Sequence, residues 1–188
     1  MATSVHYKGM LADRQTQERL LAFLRNYAQG RGWKYTEVDD EKAKLNGILL
    51  QPSSEIELTP FLFDAQGYLH SFADLIVPGE PTPKKYWIAS VKTHYAGVKE
   101  HIAFINLLGQ VKEQFFPNLQ VTDECDYWTH RDEAKAQTYF NRMDGYLSAF
   151  KKRLKNDVAP GDPEDKEGLI QNIIRAAEMA KREVDAKE

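Results

Sequence analysis

The chain has 188 residues, a formal net charge of -3 at pH 7, 42% hydrophobic and 11% aromatic residues, and one cysteine, Cys125. That composition belongs to a folded globular chain with one full core rather than to a disordered segment, and it supplies no overall basic field for nucleic acid. One cysteine excludes an internal disulfide, and no apolar run approaches the ~20 residues of a membrane span. MATSVHYKGM also lacks the apolar core of a signal peptide, so a soluble, cytoplasmic protein is expected.

Met1 to Ala12 carries no strong signal. Asp13 is placed to cap a helix running to about Ala28, because Leu20, Leu21, Leu24, Tyr27 and Ala28 share one face. Gly30 and Gly32 supply its stop. Trp33 to Val38 alternates as a strand does, a charged turn follows, and Gly47 to Leu50 reads as a second strand ended by Gln51-Pro52. Pro60 to Phe63 and Tyr68 to Leu69 read as a hairpin around Asp64-Ala65-Gln66-Gly67. Asp74 to Val77 reads as another strand or a connection, and the prolines at 78, 81 and 83 mark a loop.

The stretch from Tyr86 to Trp128 organises the rest. Tyr86 to Val91 is a short apolar strand ending on Lys92-Thr93-His94, Val98 to Phe115 a helix, and Asn118 to Thr122 a second strand. An acidic tip follows, Asp123-Glu124-Cys125-Asp126, capped by Tyr127 and Trp128. Strand–helix–strand predicts two parallel strands joined by a right-handed crossover. Their carboxyl ends would meet at one edge, with Lys92 facing Asp123 and Glu124 there. Polar groups gathered in that position are where α/β proteins tend to hold ligands.

Beyond Trp128 the chain reads as helical. Thr129-His130-Arg131-Asp132 resembles a capping box, and Ala136, Phe140, Met143, Leu147, Phe150 and Leu154 form an apolar stripe. Asp157 to Pro163 reads as a linker. The last helix, about Glu164 to Ala186, sets Ile170, Ile173, Ile174, Ala177, Ala180 and Val184 on one side. The expected organisation is an α+β core domain over 1–156 with a central mixed sheet of roughly five strands, a linker over 157–163, and an amphipathic helix over 164–188. Together the last two helices would make a C-terminal helical pair. The final stripe would pack on the core, on the preceding helix, or on a partner protein or second copy of the chain.

Several side chains are candidates for chemistry. Lys92 ends a strand and either reaches solvent or points into a pocket. Asp123, Glu124 and Asp126 offer clustered oxygens for a divalent metal, or simply form a solvated turn. His101 shares a helix face with Ile105 and Leu108, which predicts a half-buried core histidine rather than a ligand. His94 lies seven residues earlier, a helical rise of ~10 Å, too far for one ion to be held easily by both. Cys125 among carboxylates is a poor nucleophile, since neighbouring negative charge raises a thiol pKa. No hydrolase motif, Walker loop, dinucleotide fingerprint or zinc Cys/His spacing is present.

Two resemblances bear on function. In outline, Glu18 on QERLLAFL, Asp74 in FADLIV and Lys92 after Ser90-Val91 resemble the restriction-endonuclease-like nucleases. That resemblance implies Asp74 and Lys92 holding metal and attacking water, with Glu18 in support and Mg²⁺ or Mn²⁺ as cofactor. Ser90 stands where the second carboxylate belongs, so Glu100 or Glu113 would have to replace it. Separately, TPFLFDAQGYL, SVKTHYA and DECDYW are similar to segments of a bacterial protein family with KTxYA-like and DExxYW-like stretches and no known activity. This second resemblance implies one site made of Lys92, Thr93, Tyr95, His101, Asp123, Glu124, Tyr127 and Trp128. The favoured expectation is a non-enzymatic binding or interaction protein, because no complete catalytic set can be assembled. The alternative is a metal-dependent phosphodiesterase or nuclease, and only under it is nucleic acid a partner.

Overall fold

A computed structural model of the protein describes residues 3–77, 88–157 and 166–186. The chain divides into two compact units, Ala2–Ala136 and Gln137–Glu188. The division falls inside a helix rather than at the expected linker, most of which lies outside the described residues. The fold is α+β and ends in a helical pair. No helix of the described residues is long and apolar enough to cross a membrane.

Seven strands in the first unit form two antiparallel sheets instead of one mixed sheet of five. The four-stranded sheet is a meander of β2 (Lys34–Asp40), β3 (Leu45–Gln51), β4 (Thr59–Phe63) and β5 (Leu69–His70). Its last turn is the expected hairpin, closed by Gly67 N–H donating to the Asp64 carbonyl at 3.0 Å. The first helix, α1 (Arg14–Arg31), starts at Asp13, whose carboxylate accepts Thr16 N–H, and stops at Gly32 in the left-handed conformation (φ 68°). These local signals act as the sequence suggests.

The three-stranded sheet has the order β6–β1–β7, with β1 spanning Ser4–Lys8, β6 Ala89–Lys92 and β7 Gln120–Asp123. Both outer strands run antiparallel to β1, so β6 and β7 do point the same way. They are not neighbours, however, because the weakly marked N-terminal segment threads between them. Val5 pairs with Val91 on one side and with Asp123 on the other. The reason is burial: Val5 and Tyr7 are fully enclosed, and Tyr7 meets Phe61 of β4 at 5.7 Å and Phe104 at 5.9 Å between ring centroids. The Tyr7 hydroxyl, which would be costly to bury unpaired, donates to the Pro60 carbonyl at 2.7 Å. Tyr7 thus ties together β1, β4 and the crossover helix α3 (Val98–Gln114).

Asp74, expected on a strand or connection, sits in the short helix α2 (Phe72–Ile76), which begins with a complete capping box between Ser71 and Asp74. After β7 comes one helical turn, α4 (Tyr127–His130), and then α5 (Glu133–Asp157). Asp132 caps α5 by accepting Lys135 N–H at 3.0 Å, in place of a box opened by Thr129.

In the second unit, α5 and α6 (Lys166–Asp185) pair in cis. Arg142 and the Tyr146 hydroxyl both bind the Asp185 carboxylate, and Arg153 binds Glu183 at 3.2 Å. The buried positions of α6 are Ala176 and Ala180, whereas Leu169, Ile170, Ile173 and Ile174 are exposed. The stripe expected from Ile170 to Val184 is therefore rotated toward its alanines.

Candidate metal centre

At the carboxyl ends of β6 and β7 a buried polar cluster forms. β6 ends at Lys92 and delivers Thr93, which is fully buried. A 3-10 turn (His94–Ala96) then leads to Gly97, which adopts φ 85°, ψ 171°. This backbone is essentially reserved for glycine, and it reverses the chain into α3. The reversal places His101, in the first turn of α3, back over Thr93, eight residues earlier. The Thr93 hydroxyl and His101 Nδ1 are 2.7 Å apart. From the other side β7 ends at Asp123, and the turn after it sets Cys125 beside the same ring.

Asp123 Oδ1 and Cys125 Sγ each lie 3.1 Å from one atom, His101 Nε2, and Sγ is 3.5 Å from Asp123 Oδ2. His101 is fully buried, and Asp123 and Cys125 keep only 6% exposure. The neighbouring Glu124 and Asp126 are exposed, so the cluster lies one layer below the surface. Asp123 also organises the turn, accepting Cys125 N–H and Trp128 N–H at 3.0 Å each.

A threonine hydroxyl has one proton, and Thr93 directs it to the Thr3 carbonyl at 3.4 Å. The Thr93 oxygen meets His101 Nδ1, and Nε2 faces Asp123 and Cys125. A nitrogen lone pair and a carboxylate oxygen at 3.1 Å need a cation between them, either a proton on Nε2 or a metal ion.

Burial pushes the Asp123 carboxyl up, but the His101 ring and the backbone N–H groups of Trp128 and Cys125 outweigh it and hold the carboxyl below its ordinary value. Burial also dominates at Cys125. With the Asp123 and Asp126 charges adding to it against the Tyr127 N–H, the thiol is pushed up to about 12. A protonated thiol is not the nucleophilic form. A relay triad, moreover, needs nucleophile and carboxylate on opposite ring nitrogens, whereas here both approach Nε2. What the arrangement offers is three donors of different kinds around one point, and His101, Asp123 and Cys125 could hold a metal ion.

The remaining sequence candidates have other partners. Lys92 does not face Asp123: its ammonium pairs with Glu57 at 3.2 Å, and its backbone N–H donates to the same carboxylate at 3.0 Å. Glu124 turns outward, accepts Ser4 N–H at 2.8 Å and lies 3.9 Å from His6. Tyr95 is 61% exposed. Tyr127 is buried and Trp128 half-buried, with the Arg131 guanidinium over both rings at 5.6 and 4.9 Å. His94 Nδ1 meets the Thr3 hydroxyl at 3.2 Å. Of the residues linked to nuclease chemistry, Glu18 pairs with Arg14 on an exposed helix face and Asp74 binds Ser71 and approaches His70. Asp126 is exposed at the start of α4. Of the expected site, the fold brings together Thr93, His101 and Asp123 and adds Cys125. Cys125 lies in the turn after β7, so no strand periodicity marks it in the sequence.

Comparisons with family models, with curated proteins and with solved structures find no match for this chain.

Proposed function

We propose that the Ala2–Ala136 unit is a non-enzymatic binding protein whose ligand is a divalent metal ion, held at the His101–Asp123–Cys125 cluster. One observation carries this reading: one potential ligand atom from each of His101, Asp123 and Cys125, on two separated segments, lies within 4.8 Å of the others in a buried site. Binding is favoured over catalysis because the cysteine is held as a thiol and because thiol and carboxylate approach the same ring nitrogen, His101 Nε2, rather than opposite ones.

A thermal-shift scan of the full chain with Zn²⁺, Mn²⁺, Mg²⁺ and Ca²⁺ tests it, run also on Asp123→Asn and Asp74→Asn. A ligand at a hundredfold excess over Kd stabilises the folded state by about 2.7 kcal/mol, which should raise Tm by roughly 5–10 °C for a unit of this size. The expected result is a shift with at least one ion, kept in Asp74→Asn and lost in Asp123→Asn. No shift with any ion would overturn the reading, as would an equal shift in both variants.

A further inference from the structure

The donor set also specifies the kind of ion. Resting on the metal-binding reading above, we infer that the site selects a zinc-class ion bound by the Cys125 thiolate, His101 Nε2 and the Asp123 carboxylate, with Thr93 as the residue that positions His101. Hard cations take oxygen donors, six or more around Ca²⁺ and a near-ideal octahedron around Mg²⁺. A site offering one sulfur, one imidazole nitrogen and one carboxylate suits neither. It matches zinc, for which thiolate, imidazole and carboxylate are the usual ligands in a tetrahedron.

The geometry agrees with the chemistry. Zinc distances of about 2.3 Å to sulfur and 2.0–2.1 Å to nitrogen and oxygen imply tetrahedral edges of roughly 3.3–3.6 Å between ligand atoms. The corresponding separations here are 3.1 Å from Nε2 to Asp123 Oδ1, 3.1 Å from Nε2 to Cys125 Sγ, and 3.5 Å from Sγ to Asp123 Oδ2. The two edges that meet at Nε2 are thus within about half an ångström of tetrahedral values, and one ligand atom from each of the three residues lies within 4.8 Å of the others. A fourth ligand such as water would complete the tetrahedron. As the sulfur–metal bond forms, the S–H proton leaves to bulk water, and the proton between His101 Nε2 and Asp123 must leave that nitrogen as well.

Thr93 supplies the support that a ligating histidine usually has at its other nitrogen. Its hydroxyl lies 2.7 Å from Nδ1 and 3.4 Å from the Thr3 carbonyl. This contact holds the ring with Nε2 toward Asp123 and Cys125, and Nδ1–H donating to the hydroxyl is the form that a metal at Nε2 requires. The Asp123 carboxylate is fixed in the same way by its two backbone donors, so little reorganisation accompanies binding.

Titrating the full chain with Co²⁺, a spectroscopic stand-in for zinc, tests the inference. The expected result is a thiolate-to-cobalt charge-transfer band in the near ultraviolet with tetrahedral bands in the visible, all bleached by Zn²⁺. Cys125→Ser should lose the charge-transfer band. Thr93→Val should weaken Co²⁺ binding by about 10–100-fold, and Thr93→Ser, which restores the hydroxyl, should recover it. Each variant's melting temperature in chelator separates lost support of the ligand from general damage. Thermal stabilisation by Mn²⁺ or Mg²⁺, with no charge-transfer band from Co²⁺, would overturn the zinc-class assignment and leave the divalent-metal reading standing. An unchanged Co²⁺ affinity in Thr93→Val would overturn the positioning role, and binding of none of these ions would overturn both levels.

Discussion

The first unit holds two histidine–carboxylate clusters built from nearly the same residue types, and they are arranged in opposite ways. Around His101, the carboxylate and the thiol both approach Nε2, and Nδ1 is occupied by Thr93. Around His70, Asp64 lies 3.3 Å from Nε2 and Asp74 lies 3.5 Å from Nδ1. The second imidazole is a bridge, joining the hairpin turn that Asp64 organises to the helix that Asp74 caps. Its carboxylates sit on opposite sides of the ring and share no point where an ion could touch both along with the histidine. Composition alone does not separate a metal centre from a structural clamp. The separation comes from which ring nitrogen each partner addresses.

The contrast can be broken by removing one carboxylate from each cluster. Asp123→Ala leaves His101 without its anion and strips two buried backbone N–H groups of their acceptor, so a loss of about 3–5 kcal/mol is expected in urea denaturation. Asp74→Ala removes a capping box beside a partly exposed side chain and should cost about 1 kcal/mol. Equal losses would mean that the two clusters are equally structural.

Metal sharpens the same contrast. Zinc at a hundredfold excess should stabilise wild type by about 2.7 kcal/mol, with full reversal by chelator, and His70→Ala should keep the whole effect. If the His70 variant abolished it, the ion would belong to the wrong cluster.

A smaller effect is expected at the hinge that sets His101 in place. Gly97→Ala meets no neighbouring atom, since nothing lies within 4 Å of its added Cβ, but it forces alanine to φ 85°. The cost should be about 1–3 kcal/mol in chemical denaturation, with weaker zinc binding because the His101 ring shifts from Thr93.

Tyr7 provides a control outside both clusters. Burial raises its hydroxyl well above the ordinary value of 10.0. A pKa raised by folding contributes stability that is intact below the unfolded value and is lost as pH climbs toward the folded one. The protein should therefore weaken above a pH of about 10. Tyr7→Phe should flatten that alkaline decline while leaving the zinc shift unchanged, as melting curves across pH would show.

Much of this fold was legible in the sequence where one short window carries the whole signal. Asp13 and Gly32 bracket α1, Asp64 to Gly67 turns the hairpin, and the apolar face of α3 holds His101. β1 was not legible, because two apolar residues, Val5 and Tyr7, gain their meaning only from partners some 85 and 115 positions away. The intruding strand splits the expected parallel pair, and with the four-stranded meander it makes two sheets. Asp74, expected on a strand or connection from the apolar residues around it, belongs to α2, which the local pattern Ser71-x-x-Asp74 caps. His101, expected as a half-buried core residue, is fully buried. Its role depends on Asp123, twenty-two residues on, and on a thiol whose value as a ligand shows only once the turn after β7 folds.

X-ray absorption at the zinc edge of the loaded, full-length protein tests the central claim most directly. One sulfur at about 2.3 Å, with nitrogen and oxygen scatterers at about 2.0–2.1 Å, is expected, and the sulfur shell should vanish in Cys125→Ser. A spectrum of nitrogen and oxygen alone in the wild-type protein would contradict the assignment of the ion to His101, Asp123 and Cys125.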